Sequence, residues 1–409
     1  MNRHRHALAV AQVIALVAAG CTVGNRTTPP SRTPAASPTR QSLPSSATVT
    51  SSAPRSSASP VFEGLVGMPP PLAANDIYAA DRRGAISPSI VHDRAYVYVP
   101  NTNSDDIYVI DQHTMRVVSV FAGGNEPQHV VPSYDLKTLY VTADKPGLGS
   151  LTPINPKTGK PSRPIRVDDA YNMYFTPNGA YAVVVQESYT RLAFYNPHTW
   201  VLHDSLTIPA CAGIDHMDFT ADGRRLLVSC EFANRLAVID VASHRLVRTV
   251  DLHQVSGGMP QDVKLSPDGR IFYVADMMAN GIYLIDSTSF QVLGFQRTGR
   301  GAHGLYISRD SRQMYVTNRD QGSISVINLA TRKPVAKWFV AGGGSPDMGN
   351  VSADGTVLWL SGRYDNVVYA ISTRDGHLIA KIPVGTGPHG LCVWPQPGRY
   401  SLGHTGIMR

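Results

Sequence analysis

One four-residue pattern returns seven times at nearly constant spacing, and this repetition constrains the fold more than any other feature of the chain. The copies are Tyr98–Asn101, Tyr140–Ala143, Val183–Gln186, Leu227–Cys230, Tyr273–Asp276, Tyr315–Asn318 and Trp359–Gly362, with steps of 42, 43, 44, 46, 42 and 44 residues. A second marker follows each: Ile110-Asp111, Ile154-Asn155, Tyr195-Asn196, Ile239-Asp240, Ile285-Asp286, Ile327-Asn328 and Ile371-Ser372. A fixed period of this length means a repeat architecture, in which each unit buries its apolar face on its neighbours.

Each unit reads as four short strands. The first, such as Asp262–Leu265, ends in a turn such as Ser266–Gly269; Thr176–Gly179, Thr220–Gly223 and Ser352–Gly355 are its equivalents. Asp-Gly and Asn-Gly pairs supply the left-handed backbone that tight hairpins require. No segment sustains a 3.6-residue apolar period, so helices should be nearly absent. Four strands per unit, seven times, predict an all-β, seven-bladed β-propeller of four-stranded blades. The units lack the Gly-His and Trp-Asp marks of WD40 repeats. They resemble instead the YVTN-type, or YncE-like, propeller family over about residues 85–394, and Tyr315-Val316-Thr317-Asn318 carries the name motif as it stands. Propellers of similar kind include lactone hydrolases, lyases and metal-dependent oxidoreductases, but none of their motifs transfers here residue by residue. Fold likeness alone leaves the activity open.

The propeller is expected over 61–409, with an N-terminal extension at 61–84 and a C-terminal tail at 395–409. Residues 389–394 repeat the first strand for an eighth time and could close the ring on blade 1; residues 86–91 compete for that slot.

The start of the chain is an export leader, residues 1–20. Arg3 and Arg5 precede an apolar run from Ala7 to Ala19 that is short for a membrane span. Ala18-Ala19-Gly20-Cys21 resembles the lipobox of bacterial lipoproteins, which implies acylation of Cys21 and an extracytoplasmic location at the cell membrane. Residues 21–60 form a tether. Ser, Thr and Pro supply 24 of the 39 residues after Cys21, with no aromatic or acid, a composition that cannot build a core. The net charge of +7 divides unevenly: residues 1–60 carry six Arg and no acid, leaving +1 for the remainder. The basic pI therefore gives no case for nucleic acid as a partner, and a monomer is expected.

Two Gly-x-Gly-x-x-Gly matches, at Gly299–Gly304 and Gly385–Gly390, each precede a strand rather than a helix, so no helix N-terminus is available for a pyrophosphate. Aligning the repeats is more informative. The residues entering the first strands are His129, Asn172, His216, Asp262, His303, Asp347 and, from the eighth copy, His389. In a propeller these positions ring the central channel. Imidazole and carboxylate could hold a transition metal, with His129, His216, His303, His389, Asp262 and Asp347 as ligands, or act as acid and base. They could equally bond neighbouring blades and ordered water.

The residue after each Tyr-Val marker lies at the same edge: Thr102, Asp144, Glu187, Glu231, Met277, Arg319 and Arg363. Acids on one side and Arg319 and Arg363 on the other would orient a small zwitterionic or partly anionic ligand. Cys211 and Cys230 bracket the first two strands of blade 4 and are placed for a disulfide; Cys392 reads as a buried free thiol. His404 in the tail could lie across one face, but a loose terminus is the expectation. The functional expectation is an envelope protein that binds a small ligand or an envelope partner at the channel mouth. The alternative is a metal-dependent hydrolase or lactonase, lyase or oxidoreductase using the His/Asp ring.

Overall fold

The computed structural model describes residues 63–409. The leader, Cys21 and the 21–60 tether lie outside the described residues. Among the described residues the regular elements are strands and two single-turn 3₁₀ segments, Glu187–Tyr189 and Glu231–Ala233.

The turn chemistry works as read. Gly179, Gly223, Gly269 and Gly355 all take positive φ, between 69° and 76°. In six of the seven units a Ser or Thr hydroxyl fastens the turn. Ser266 Oγ accepts the Ile271 N–H at 3.0 Å and donates to Asp268 at 2.6 Å. The resulting hairpins make seven antiparallel sheets. Burial falls from the channel outward: in blade 5 the strands Pro260–Leu265 and Ile271–Asp276 are wholly buried, whereas Val292–Arg297 is largely exposed.

Blade 2 departs from four plain strands. Its outer strand is split into Lys160–Pro161 and Ile165–Arg166, both paired to Ser150–Asn155. Pro161 and Pro164 have no N–H to give the ladder, which explains the break.

The ring closes through the last copy of the repeat. Cys392–Trp394 pairs with Tyr96–Tyr98 and becomes the innermost strand of blade 1. Ile86 makes only an isolated bridge, to Gly398, so 86–91 does not take the slot. The tail is not loose. Residues 395–409 are buried almost throughout and pack under the disc. Phe175 N–H donates to Leu402 O at 2.9 Å, His404 N–H to Met173 O at 2.8 Å, and Arg409 Nη2 to Asp218 Oδ1 at 2.8 Å. Part of the N-terminal extension meets the same face, with Tyr78 OH on Leu265 O at 2.8 Å and Arg409 over the Tyr78 ring. One face is thereby plugged, and the polar edge at the ends of the second strands becomes the open mouth.

Candidate functional site

A bulge in the inner strand presents the channel residues. Register shifts fall at Pro127/His129, Ile214/Met217, Pro260/Val263, Ala302/Leu305 and Pro346/Gly349, spanning His216, Asp262, His303 and Asp347 and adjoining His129. A bulge leaves an N–H unpaired and re-aims side chains. The third residue of the four-residue marker repairs this. In four of the five bulged blades, Thr142, Ser229, Thr317 and Ser361 accept the N–H groups of His129 at 3.1 Å, His216 at 3.0 Å, Gly304 at 2.7 Å and Met348 at 3.2 Å, respectively. The Thr or Ser of the repeat thus holds the site's backbone.

All seven ring residues are at most 4% exposed. Their side chains converge: His129 lies 5.4 Å from His216 and 4.9 Å from His389 by ring centroid, and His303 lies 6.4 Å from His216 and 6.3 Å from His389. The tail adds a fifth imidazole. His404 rises between them, 4.7 Å from His216 and 5.4 Å from His129, correcting the expectation of a loose end.

Hydrogen bonds fix several tautomers. Gln128 Nε2 donates to Asp144 at 2.9 Å, so its Oε1 must accept, and it does so from Thr102 at 3.2 Å and from His389 Nδ1 at 3.1 Å. His389 Nε2 is left as a bare lone pair. Asp215 Oδ1 stands 2.8 Å from His216 Nδ1, and His216 Nε2 has no hydrogen-bond partner. Asn172, oriented by the Met173 N–H on its Oδ1, donates to His404 Nδ1 at 3.0 Å. His404 Nε2 then carries the proton and faces Asp262 Oδ1 at 3.8 Å. Asp262 spends its other oxygen on the Leu305 N–H of the next blade, at 2.8 Å, so half of its role is structural.

Burial pushes His129, His303, His389 and His404 well below the usual histidine range, and repulsion among the histidines and from nearby arginines, or from Lys264 in the case of His404, adds to it. These imidazoles are neutral and able to act as ligands. His216 differs: burial lowers it, but Asp215, Asp262 and Glu231 together raise it overall.

The mouth residues lie where the spacing puts them, but the arginines are partly engaged. Arg319 Nη1 bonds Asp347 Oδ1 at 3.2 Å, with the Tyr364 ring 5.3 Å away. Arg363 Nη1 donates to Thr102 Oγ1 at 3.0 Å and Gly387 O at 3.1 Å. On the opposite wall burial pushes Glu187 up to about 9, with Asp215 and Glu231 adding repulsion. Burial likewise pushes Glu231 and Asp144 each up to about 7. This wall holds protons at neutral pH. Arg319 tempers Glu231 across the mouth.

Sequence reasoning took one first-strand position and one second-strand position per blade and missed Gln128, Asp215, Tyr171 and Met348. Tyr171 packs against His129 at 5.3 Å and senses Asp215, Glu187, Glu231 and Arg363. All four stand next to a ring position. Strict alternation would send them away from the channel, and the bulge cancels that alternation in three of the four blades. Cys211 and Cys230 form a disulfide, and Cys392 is buried and free. Two surface clefts, about 450 Å³ near Thr220 and Phe290 and about 440 Å³ near Arg309 and Asp354, lie away from the channel histidines.

No curated protein matches the sequence. Among solved structures, a functionally unknown protein from Desulfotomaculum acetoxidans is similar at 16% identity, covering 73% of this chain and 98% of that one, with a TM-score of 0.59. Hydrazine synthase of Kuenenia stuttgartiensis is similar at 19% identity over 64% of this chain and 87% of that one, TM-score 0.53. The dihydro-heme d1 dehydrogenase NirN, solved with DHE, is similar at 16% identity over 80% and 79%, TM-score 0.56. At such identities the likeness concerns the fold alone. Residues 197–262 and 251–397 match the family described as YNCE-like beta-propeller. That match and the closed ring of seven blades together support the YncE-like β-propeller family for this chain.

Proposed function

We propose that this propeller is a binding protein of the cell envelope, anchored through acylated Cys21, that holds a small zwitterionic ligand at its channel mouth. The lipobox-like Ala18–Cys21 and the apolar run before it support the location. The observation that carries the binding reading is the division of the mouth between arginines on one wall and ionisable acids on the other. Arg319 and Arg363 face Glu187, Glu231 and Asp144 across a floor of buried imidazoles. A ligand carboxylate meets the guanidinium groups, where charge-assisted bonds are strong. A ligand ammonium meets the acid wall and displaces its protons.

Affinity for such a ligand should therefore rise from pH 6 to pH 8, with proton release on binding. Thermal shift against a panel of amino acids and amino-dicarboxylic acids, followed by calorimetry in buffers of different ionisation heat, checks this. Arg363→Ala and Glu187→Gln should each weaken the best stabiliser at least ten-fold. A panel without any stabiliser, or a stabiliser indifferent to both substitutions, contradicts the reading.

A second reading, a metal-dependent enzyme with a transition metal as cofactor, is favoured by one observation. His303, Asp347 and His389 each bring a ligand atom within 4.8 Å of the others. Imidazole and carboxylate suit Zn, Cu, Fe or Mn.

A further inference from the structure

The donor set around His303 is richer than imidazole and carboxylate. Met348 Sδ lies 3.1 Å from His303 Nδ1, and Asp347 Oδ1 lies 3.2 Å from the same nitrogen. Asp347 Oδ2 has no hydrogen-bond partner and stands 3.8 Å from His389 Nε2, the lone pair freed by Gln128. Ligands bonded at about 2.0–2.3 Å to one tetrahedral ion sit roughly 3.3–3.8 Å apart. His303, Asp347 and His389 thus each bring a ligand atom within 4.8 Å of the others, and the Met348 sulfur adjoins His303, all on buried residues.

Two properties of this cluster narrow the ion. The thioether is a soft ligand, which suits copper(I) and disfavours a hard ion such as manganese. The charge balance points the same way. The Asp347 carboxylate is already matched by Arg319 at 3.2 Å, and Arg363 also acts on it, so the site has no surplus negative charge. Burying an ion costs more as its charge grows, and a univalent ion is tolerated here better than a divalent one. Met277 and the exposed Met278 place two further thioethers on the rim of the mouth, where an ion would enter.

We infer that the channel holds one copper(I) ion between His303, His389, Asp347 and Met348; this rests on the transition-metal reading above and narrows it to one metal. The probe is copper(I) itself, competed against a chromogenic chelator of known affinity, with zinc(II) and cobalt(II) in parallel. The full chain carries Cys21→Ser so that this thiol does not compete. One copper(I) per chain is expected, bound at least 100-fold more tightly than zinc.

Met348→Leu keeps the volume and removes the sulfur. It should weaken copper(I) at least ten-fold and leave zinc within two-fold. His389→Gln should weaken every metal. Thermal unfolding confirms that both variants fold; should His389→Gln fail to fold, Met348→Leu alone carries the test. Zinc held as tightly as copper, or copper indifferent to Met348→Leu, overturns the copper inference and leaves the metal reading standing. No uptake of any of the three metals overturns both.

Discussion

A chain ending at residue 391 is expected to lose the folded propeller. Three residue pairs, Tyr96 with Trp394, Val97 with Val393 and Tyr98 with Cys392, join the two ends of the ring. Removing them opens an edge on blade 1 and empties the position of Trp394, which is fully buried and donates its indole N–H to Asp93 Oδ2 at 2.9 Å. Loss of one large core side chain costs about 3–5 kcal/mol, and here a whole inner strand goes with it. The plugging tail is removed too, leaving Asp218 buried without Arg409; breaking a buried pair costs about 3–5 kcal/mol more. Together these rival the stability of a typical domain, about 5–15 kcal/mol. A chain ending at residue 394 keeps the ring and should remain folded with a lowered urea midpoint. Circular dichroism and urea titration of the two truncations separate these outcomes. A cooperative transition at the full-length midpoint in the shorter chain would contradict closure by this strand.

The second large effect is alkaline loss of stability. Asp144 and Glu231 are pushed up to about 7 and Glu187 to about 9, all chiefly by burial. A carboxyl raised in the folded state holds a proton that the unfolded chain has already released. Its stabilising effect is full below the unfolded value, near 4, and is lost as pH rises through the folded value. The buried neutral imidazoles of His129, His303, His389 and His404 act oppositely, drawing stability down as pH falls below about 6.5. The two groups offset one another between about 4.5 and 6.5.

Above that range the imidazoles are neutral in both states and the acid wall alone remains, with His216 adding to the loss. Melting temperature should fall between pH 6.5 and 9, at up to about 1.4 kcal/mol per pH unit for each proton involved. Glu187→Gln should flatten the curve between pH 7 and 9 and make the variant more stable than wild type at pH 9. Parallel curves would show that Glu187 is not the buried acid described.

The ring was legible because seven copies of one pattern leave few alternatives, and Asn-Gly and Asp-Gly fixed the hairpins locally. The seven channel positions followed from repeat alignment, since equivalent residues of a propeller share one radius. Asp215, Gln128 and Met348 were not legible, because alternation excludes neighbours of a channel residue and a bulge has no signature in a single strand. The Thr or Ser in the marker is that signature only once its bond to the bulged N–H is known. His404 was hidden for another reason: its burial depends on the tail docking beneath blades roughly 190 to 230 residues away in sequence, through Met173 and Asp218. The split strand of blade 2 could have been read from Pro161 and Pro164.

The most direct test of the mouth as the binding site is where a ligand sits. Crystals grown with the strongest stabiliser from the amino-acid panel should show it above the histidine cluster, its carboxylate on Arg363 and its ammonium toward Glu187 and Glu231. Density on the rim, in the clefts near Phe290 or Arg309, or nowhere on the protein would contradict the account.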